Sequence, residues 1–158
     1  MNILYGTKIC KHYVFTGHSQ GAAVATIAAI ELQDDFKKRH FDNTVNLVAF
    51  ASPRVGDDRI VAKAQSLDYI FLVENRGDIV PTVPPRFLDF SHVVNTSKIE
   101  KSFLGSYHLV KNEKWDDFTD QFNLNVWNDR LKTWLSDHLE HDMDGEYLRI
   151  LRKIFYEQ

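Results

Sequence analysis

The sequence contains little cysteine and no long apolar run, and these shortages narrow the possible classes of protein. Cys10 is the only cysteine among 158 residues, so no internal disulfide can form and a domain built on disulfides is excluded. The longest apolar run, residues 22–30, is interrupted by Thr26 and is shorter than the roughly 18 residues that span a bilayer. The N-terminus lacks the basic region of a secretory signal, so we expect a cytoplasmic protein without a membrane span.

An excess of positive charge is also lacking. The 19 Lys and Arg residues are outnumbered by 22 Asp and Glu, which gives a net charge of −3. A nucleic-acid partner is therefore not expected, because binding to a phosphate backbone depends on a basic surface. The content of 44% hydrophobic and 26% charged residues is typical of a globular protein, and the length suits a single domain over residues 1–158.

What the sequence does contain is an alternation of strand-like and helix-like segments. β-Branched and aromatic runs predict strands at residues 12–16, 45–51, 69–74 and 90–96. Amphipathic or alanine-rich runs predict helices at residues 21–40, 60–66 and 143–156, the second capped by Asp57 or Asp58, whereas residues 103–134 show no clear pattern. Strands that alternate with helices indicate an α/β fold with a parallel sheet.

The stretch Gly17-His18-Ser19-Gln20-Gly21 has the G-x-S-x-G pattern of a nucleophile elbow. The pattern is short, but here it follows a predicted strand and precedes a predicted helix, which is the context that an elbow requires. Gly17 and Gly21 are expected to give the backbone room to fold back, and His18 is expected to pack beneath the turn. Ser19 is then predicted to be a nucleophile, with the Gln20 N–H donating to an oxyanion at the helix N-terminus.

Four blocks of the sequence, in order, resemble the class 3 (fungal-type) lipase family of the α/β-hydrolase superfamily. They are TGHSQGAAVA, VAFASPRVGD, ENRGDIVPTVPP and HDMDGEYLRIL. The sequence departs from the family pattern at Gln20, Ala22 and Ala51, and it has one extra residue before Tyr147. The resemblance covers most of the chain and is weakest over residues 99–139. It implies an α/β-hydrolase fold and hydrolysis of acylglycerols or related lipid esters.

A serine nucleophile needs a base, and the base needs a carboxylate that orients it. Asp78 follows the third predicted strand in a proline-rich loop, and the order Ser, Asp, His is that of the α/β-hydrolase fold. The resemblance places the acid of the triad at Asp78 and the base at His141, with His138 open as an alternative base. It also matches His92 to a family histidine that is not the base. Arg54, in the second block, is expected to bind neighbouring carbonyls or a carboxylate in a structural role.

No metal and no cofactor is predicted. Acidic residues from position 140 onward have the spacing of a calcium loop, but Leu151 stands where a ligating side chain is needed. The sequence shows no cluster of His and Cys with zinc-ligand spacing and no glycine-rich phosphate loop.

The resembling family has a second oxyanion donor well upstream of its elbow, and eighteen residues precede Ser19 here. We therefore expect a hydrolase domain that is incomplete at its N-terminus, with strand 12–16 as an exposed edge open to a partner chain or to self-association. The predicted function is a lipase or carboxylesterase that cleaves lipid or small esters through an acyl-enzyme. The alternative is a catalytically impaired remnant that serves as an interaction module or needs a partner chain.

Overall fold

The computed structural model describes residues 10–75, 78–93, 96–101, 107–111 and 152. These ranges contain a five-stranded sheet whose strands stand in chain order. The strands are β1 (His12–His18), β2 (Thr44–Phe50), β3 (Tyr69–Asn75), β4 (Thr96–Lys101) and β5 (Tyr107–Lys111). The first four run parallel, and β5 is antiparallel to β4. The predicted α/β fold with a parallel sheet is confirmed, whereas β5 lies in a segment for which no element was predicted.

Two helices connect the first three strands. The first, α1 (Gln20–Lys38), packs on β1 and β2, and the second, α2 (Asp58–Ala64), joins β2 to β3. Alanine, the best helix former, recurs in the first half of α1, and the helix buries a stripe at helical spacing. That stripe consists of Ala22, Ala25, Thr26, Ala29, Ile30, Leu32, Gln33 and Phe36. The carboxylate of Asp57 caps α2 by accepting the N–H groups of Arg59 and Ile60, which decides between the two predicted caps.

The hydrophobic core lies between the sheet and these helices. Along β2, the side chains of Val45, Leu47 and Ala49 are fully buried, and the residues between them are half-buried. This alternation arises because successive side chains of a strand point to opposite faces of the sheet. The face that packs on the helices is therefore the better sealed one. Full burial of a Val or Leu side chain contributes roughly 1.5–3 kcal/mol to stability.

The predicted fourth strand, residues 90–96, is wrong in position, because β4 begins at Thr96. The segment before β4 uses its polar groups in a different way. Ser91 forms an isolated antiparallel bridge with Gly56, and its N–H donates to the Gly56 carbonyl at 2.8 Å. The Ser91 hydroxyl also donates to the Asp58 carboxylate. Through Ser91, residues 90–93 thus form hydrogen bonds with the segment after β2, in place of the strand pairing that the apolar pattern predicted. The helix predicted at residues 143–156 lies outside the described residues.

β1 lies at one edge of the described sheet, with β2 as its neighbour. Its residues alternate between exposed and half-buried, and Val14 is 63% exposed. Within the described ranges, this agrees with the expectation of an edge strand that shows apolar surface. No helix in the same ranges is long and apolar enough to cross a membrane.

Candidate active site at the carboxyl edge of the sheet

Ser19 occupies the sharp turn between the end of β1 and the start of α1. Its backbone has φ 56° and ψ −128°, and a positive φ is rare for a residue that carries a side chain. Such a conformation costs on the order of 1–3 kcal/mol and persists only where the surrounding structure holds it. Here the Ser19 N–H donates to the Phe50 carbonyl at 3.0 Å, and the Ser19 carbonyl accepts the Ala22 N–H at 2.9 Å. The turn therefore has the strained strand-to-helix geometry of an elbow.

The two glycines that flank Ser19 are not equivalent. A Cβ on Gly17 would lie 2.7 Å from the Ala22 nitrogen and closer still to the Gly21 carbonyl oxygen, and both are backbone atoms that cannot move aside. A Cβ on Gly21 would meet no heavy atom within 4 Å among the described residues. The expectation that both glycines provide room is confirmed for Gly17 and wrong for Gly21. The close passage of β1 against the first turn of α1 makes the difference.

Gln20 and His18 lie on either side of Ser19. Gln20 is the first residue of α1, and N–H groups in the first turn of a helix have no acceptor within the helix. Its N–H therefore lies at the positive end of the helix dipole, where an anion is stabilised. His18 is exposed, so the expectation that it packs beneath the elbow is wrong. The alternation of β1 puts His18 on the same face as the exposed Val14, opposite the face that α1 covers.

Asp78 lies just past the end of β3 and is completely buried. Its N–H donates to the Asn75 carbonyl at 3.0 Å, and its Oδ1 accepts the Val80 N–H at 2.9 Å. Because β1 and β3 flank β2 in parallel, Ser19 and Asp78 lie at the same edge of the sheet. Two strand spacings amount to about 10 Å, which leaves room for an imidazole that hydrogen-bonds to both side chains.

Residues 78–85, here called the prolyl turn, are bound from the loop after β2 by Arg54. This side chain is 4% exposed, and its Nη1 donates to the Pro84 carbonyl at 2.9 Å and to the Thr82 carbonyl. The backbone N–H of Arg54 donates to the Val83 carbonyl at 2.8 Å. The expectation that Arg54 binds neighbouring carbonyls is confirmed.

A buried pair, Glu74 and His92, contacts the prolyl turn through His92. Glu74 lies near the end of β3 and is 1% exposed, and its Oε1 is 3.1 Å from Nε2 of His92. The same nitrogen lies 2.9 Å from the Pro81 carbonyl oxygen. A ring nitrogen that faces two oxygens acts as a donor, so His92 carries a proton on Nε2. The role of Glu74 was missed in the sequence, where the one signal is a carboxylate at the end of an otherwise apolar strand.

Two further described histidines, His12 and His40, lie away from Ser19. His12 is at the amino end of β1, with Nδ1 2.7 Å from the Thr44 hydroxyl, and His40 follows the end of α1. His138 and His141, the two predicted bases, lie outside the described residues. The assignment of the base therefore stays a prediction.

A shift in pKa marks the start of α2, beside the loop that carries Arg54. The hydrogen bond from the Arg59 guanidinium, with the backbone N–H of Ile60 adding to it, lowers the pKa of Asp57. The same ion pair raises the pKa of Arg59. In the part of the chain that the structure describes, no group of three or more His, Cys, Asp or Glu side chains could hold a metal ion.

Comparison with known proteins relates the chain to lipases. The family model "Lipase (class 3)" matches residues 8–88, about half of the chain. A secreted mono- and diacylglycerol lipase of Malassezia restricta is 31% identical over 128 residues, which cover 78% of this chain and 36% of that protein. A phospholipase A1-II of Oryza sativa subsp. japonica is 41% identical over 71 residues, which cover 44% of this chain and 18% of the relative.

Among solved structures, lipase II from Rhizopus niveus aligns with a TM-score of 0.55 at 24% identity, over 80% of this chain and 45% of that one. The shared fold is therefore that of an α/β-hydrolase. The chain spans less than half the length of each of these three proteins. The region matched by the family model contains Ser19, Arg54 and Asp78.

Proposed function

Because the chain belongs to the class 3 lipase family, we propose that it hydrolyses carboxylic esters of lipids through an acyl-enzyme. The observation that carries the proposal is the positive φ of Ser19, 56°, at the carboxyl edge of a parallel sheet. A turn with no chemical role would favour glycine at this position, since glycine adopts a positive φ without steric cost. A hydroxyl-bearing side chain held at a strained position supports a chemical role for Ser19.

In this reaction the Ser19 Oγ attacks the ester carbonyl carbon while its proton moves to the base. We propose His141 as the base, with His138 as the alternative. The protonated base then gives its proton to the leaving alcohol, and an ester of Ser19 remains. Water, deprotonated by the same base, hydrolyses that ester and restores the enzyme. In both steps the Gln20 N–H donates to the oxyanion that forms on the attacked carbonyl.

Asp78 is the proposed acid, which accepts a hydrogen bond from the base's ring N–H, orients the ring and stabilises the imidazolium. Its burial and its place two strands from Ser19 support this role. The hydrogen bond from the Val80 N–H to Oδ1 supports a fixed orientation of this carboxylate.

The substrate class that we propose is an acylglycerol or a related lipid ester, with no cofactor. One relative is named for mono- and diacylglycerols, and the other is named a phospholipase A1. The mechanism needs only an ester carbonyl that can reach Ser19 and the Gln20 N–H, and it does not choose between these head groups.

We also propose that the outer side of β1 pairs with a strand of another chain or of a second copy. A seven-residue strand at the edge of the described sheet, with Val14 63% exposed, supports this, because the backbone groups along a sheet edge can recruit further strands. Light scattering of the purified chain measures its mass, and a monomer at every concentration would contradict pairing between copies.

The nucleophile is tested by labelling with a fluorophosphonate probe and by turnover of a short-chain p-nitrophenyl ester. We expect the wild-type chain to react with the probe and to hydrolyse the ester. Ser66→Ala, which changes a serine remote from the elbow, should behave in the same way. We expect Ser19→Ala to do neither. Of the two histidine variants, His141→Ala should lose turnover and His138→Ala should keep it. A folded wild-type chain that neither labels nor turns over would refute the proposed function.

A further inference from the structure

We propose that Arg54 is a positioning residue for Asp78, an inference that rests on the proposed ester hydrolysis. The two residues come from different loops, since Arg54 follows β2 and Asp78 follows β3. Both are buried, with 4% and 0% exposure. The guanidinium of Arg54 binds the prolyl turn, and this turn contains the Asp78 carboxylate.

Arg54 binds three successive carbonyl groups of the prolyl turn. Nη1 donates to the carbonyls of Thr82 and Pro84, and the backbone N–H donates to that of Val83. A buried cation needs such polar partners, because its removal from water is otherwise costly. The three bonds fix this half of the turn relative to the end of β2, where the Phe50 carbonyl also holds Ser19.

Hydrogen bonds within the turn continue from those carbonyls to the carboxylate. Thr82 binds the Ile79 carbonyl twice, through its N–H at 2.9 Å and its hydroxyl at 2.6 Å. The Val83 N–H donates to the Val80 carbonyl at 3.1 Å. The Val80 N–H then donates to Oδ1 of Asp78 at 2.9 Å. A displacement of the turn therefore moves the N–H group that orients the Asp78 carboxylate.

Arginine and lysine are not interchangeable at such a site. The planar guanidinium presents its donors in a fixed fork, whereas lysine has a single ammonium on a flexible stem. Arg54→Lys keeps the positive charge and the backbone bond to Val83, and it changes only the geometry of the side-chain bonds. Arg59→Lys makes the same change at an exposed arginine that pairs with Asp57, and it serves as the matched control.

The first readout is the kinetics of p-nitrophenyl ester hydrolysis by the full chain. We expect Arg54→Lys to lower kcat on the order of 10²-fold with little change in KM, because misplacement of a catalytic group by about 1 Å has that effect. Arg59→Lys should leave both constants unchanged. The acid limb of the pH profile of kcat/KM should also move to lower pH in Arg54→Lys, since a misplaced Asp78 stabilises the protonated base less well.

The second readout is a double-mutant cycle with Asp78→Asn. If Arg54 acts through Asp78, Arg54→Lys has no further effect on kcat once the carboxylate is gone. Additive losses in the cycle, or an acid limb that stays in place while the amplitude falls, would instead show that Arg54 only stabilises the fold. Either result would overturn the proposal.

The third readout, amide hydrogen exchange, does not need activity. In Arg54→Lys the Val80 and Val83 amides should exchange faster, while the amides of α1 keep their protection. Unchanged protection at Val80 would overturn the positioning role even in a chain without esterase activity. A wild-type chain that fails to hydrolyse the ester would refute the proposed function, and the exchange data would then decide whether Arg54 holds the turn.

Discussion

The elbow at residues 17–21 and the prolyl turn at residues 78–85 lie at the same edge of the sheet, yet they are held in place by different means. The elbow is shaped mainly by contacts between residues close in sequence, above all the passage of Gly17 against the backbone of Gly21 and Ala22, and β2 adds one bond through the Phe50 carbonyl, which accepts the Ser19 N–H. The prolyl turn is held by side chains from outside it, Arg54 from the loop after β2 and His92 from the segment before β4.

The difference concerns strain and burial. At the elbow, Ser19 has a strained backbone with a positive φ, and the next residue, Gln20, is exposed. This exposure suits a nucleophile, because a nucleophile must be reached by its substrate. The prolyl turn buries its carboxylate completely and gives it a donor, the Val80 N–H. A local, strained turn suits an attacking group, whereas a group that only orients a base benefits from a rigid, buried support.

The largest effect on stability is expected at the elbow. Gly17→Ala places a Cβ against backbone atoms, and we expect a loss of about 3 kcal/mol in the free energy of unfolding, as for overpacked sites. Gly21→Ala is the matched control and should change stability by less than about 1 kcal/mol, since the new methyl enters open space on a helix. Urea unfolding measures both. Equal losses in the two variants would show that local backbone contact does not set the elbow.

A smaller effect is expected at the prolyl turn. His92→Leu removes the donor that faces Glu74 and the Pro81 carbonyl, and we expect a loss of about 2 kcal/mol because buried acceptors lose their partner. His12→Leu, at an exposed histidine, should cost less than about 0.5 kcal/mol. Urea unfolding again measures the change. A loss at residue 92 no greater than that at residue 12 would mean that the turn does not depend on this support.

The smallest effect is expected in the pH dependence of stability. It arises at the start of α2, beside the loop that carries Arg54. The pKa of Asp57 is lowered below its ordinary value of 3.8, so its stabilising contribution is present above that value and is lost as the pH falls through the lowered pKa. Asp57→Asn can still cap the helix and does not titrate. The Tm difference between wild type and Asp57→Asn should therefore shrink on acidification from neutral pH to about pH 2.

Asp42→Asn, at an exposed aspartate after α1, is the control for this titration and should follow wild type throughout. If Asp57→Asn also follows wild type at every pH, Asp57 contributes nothing to stability through its charge.

Much of the fold follows from pattern, and the exceptions have physical causes. The first three strands and two helices were predicted close to their observed bounds, because each is a run of residues with the periodicity of its element. The fourth strand was misplaced because Ser91 and His92 find polar partners in other loops, which hydropathy does not reveal. The site was predicted in part, since Ser19 and Asp78 lie at one edge, whereas the bases His141 and His138 stay predictions.

The sequence by itself determined the elbow, because its determinants lie within a few consecutive residues. A strand, a glycine without room for a side chain, a serine and a helix start identify that turn in the sequence, and the tertiary structure adds the bond from the Ser19 N–H to the Phe50 carbonyl. Only the tertiary structure decided how the prolyl turn is held. Its partners, Arg54, Glu74 and His92, are brought together by the order and direction of β2 and β3, and a buried hydrogen bond between distant residues has no periodic signature in the chain.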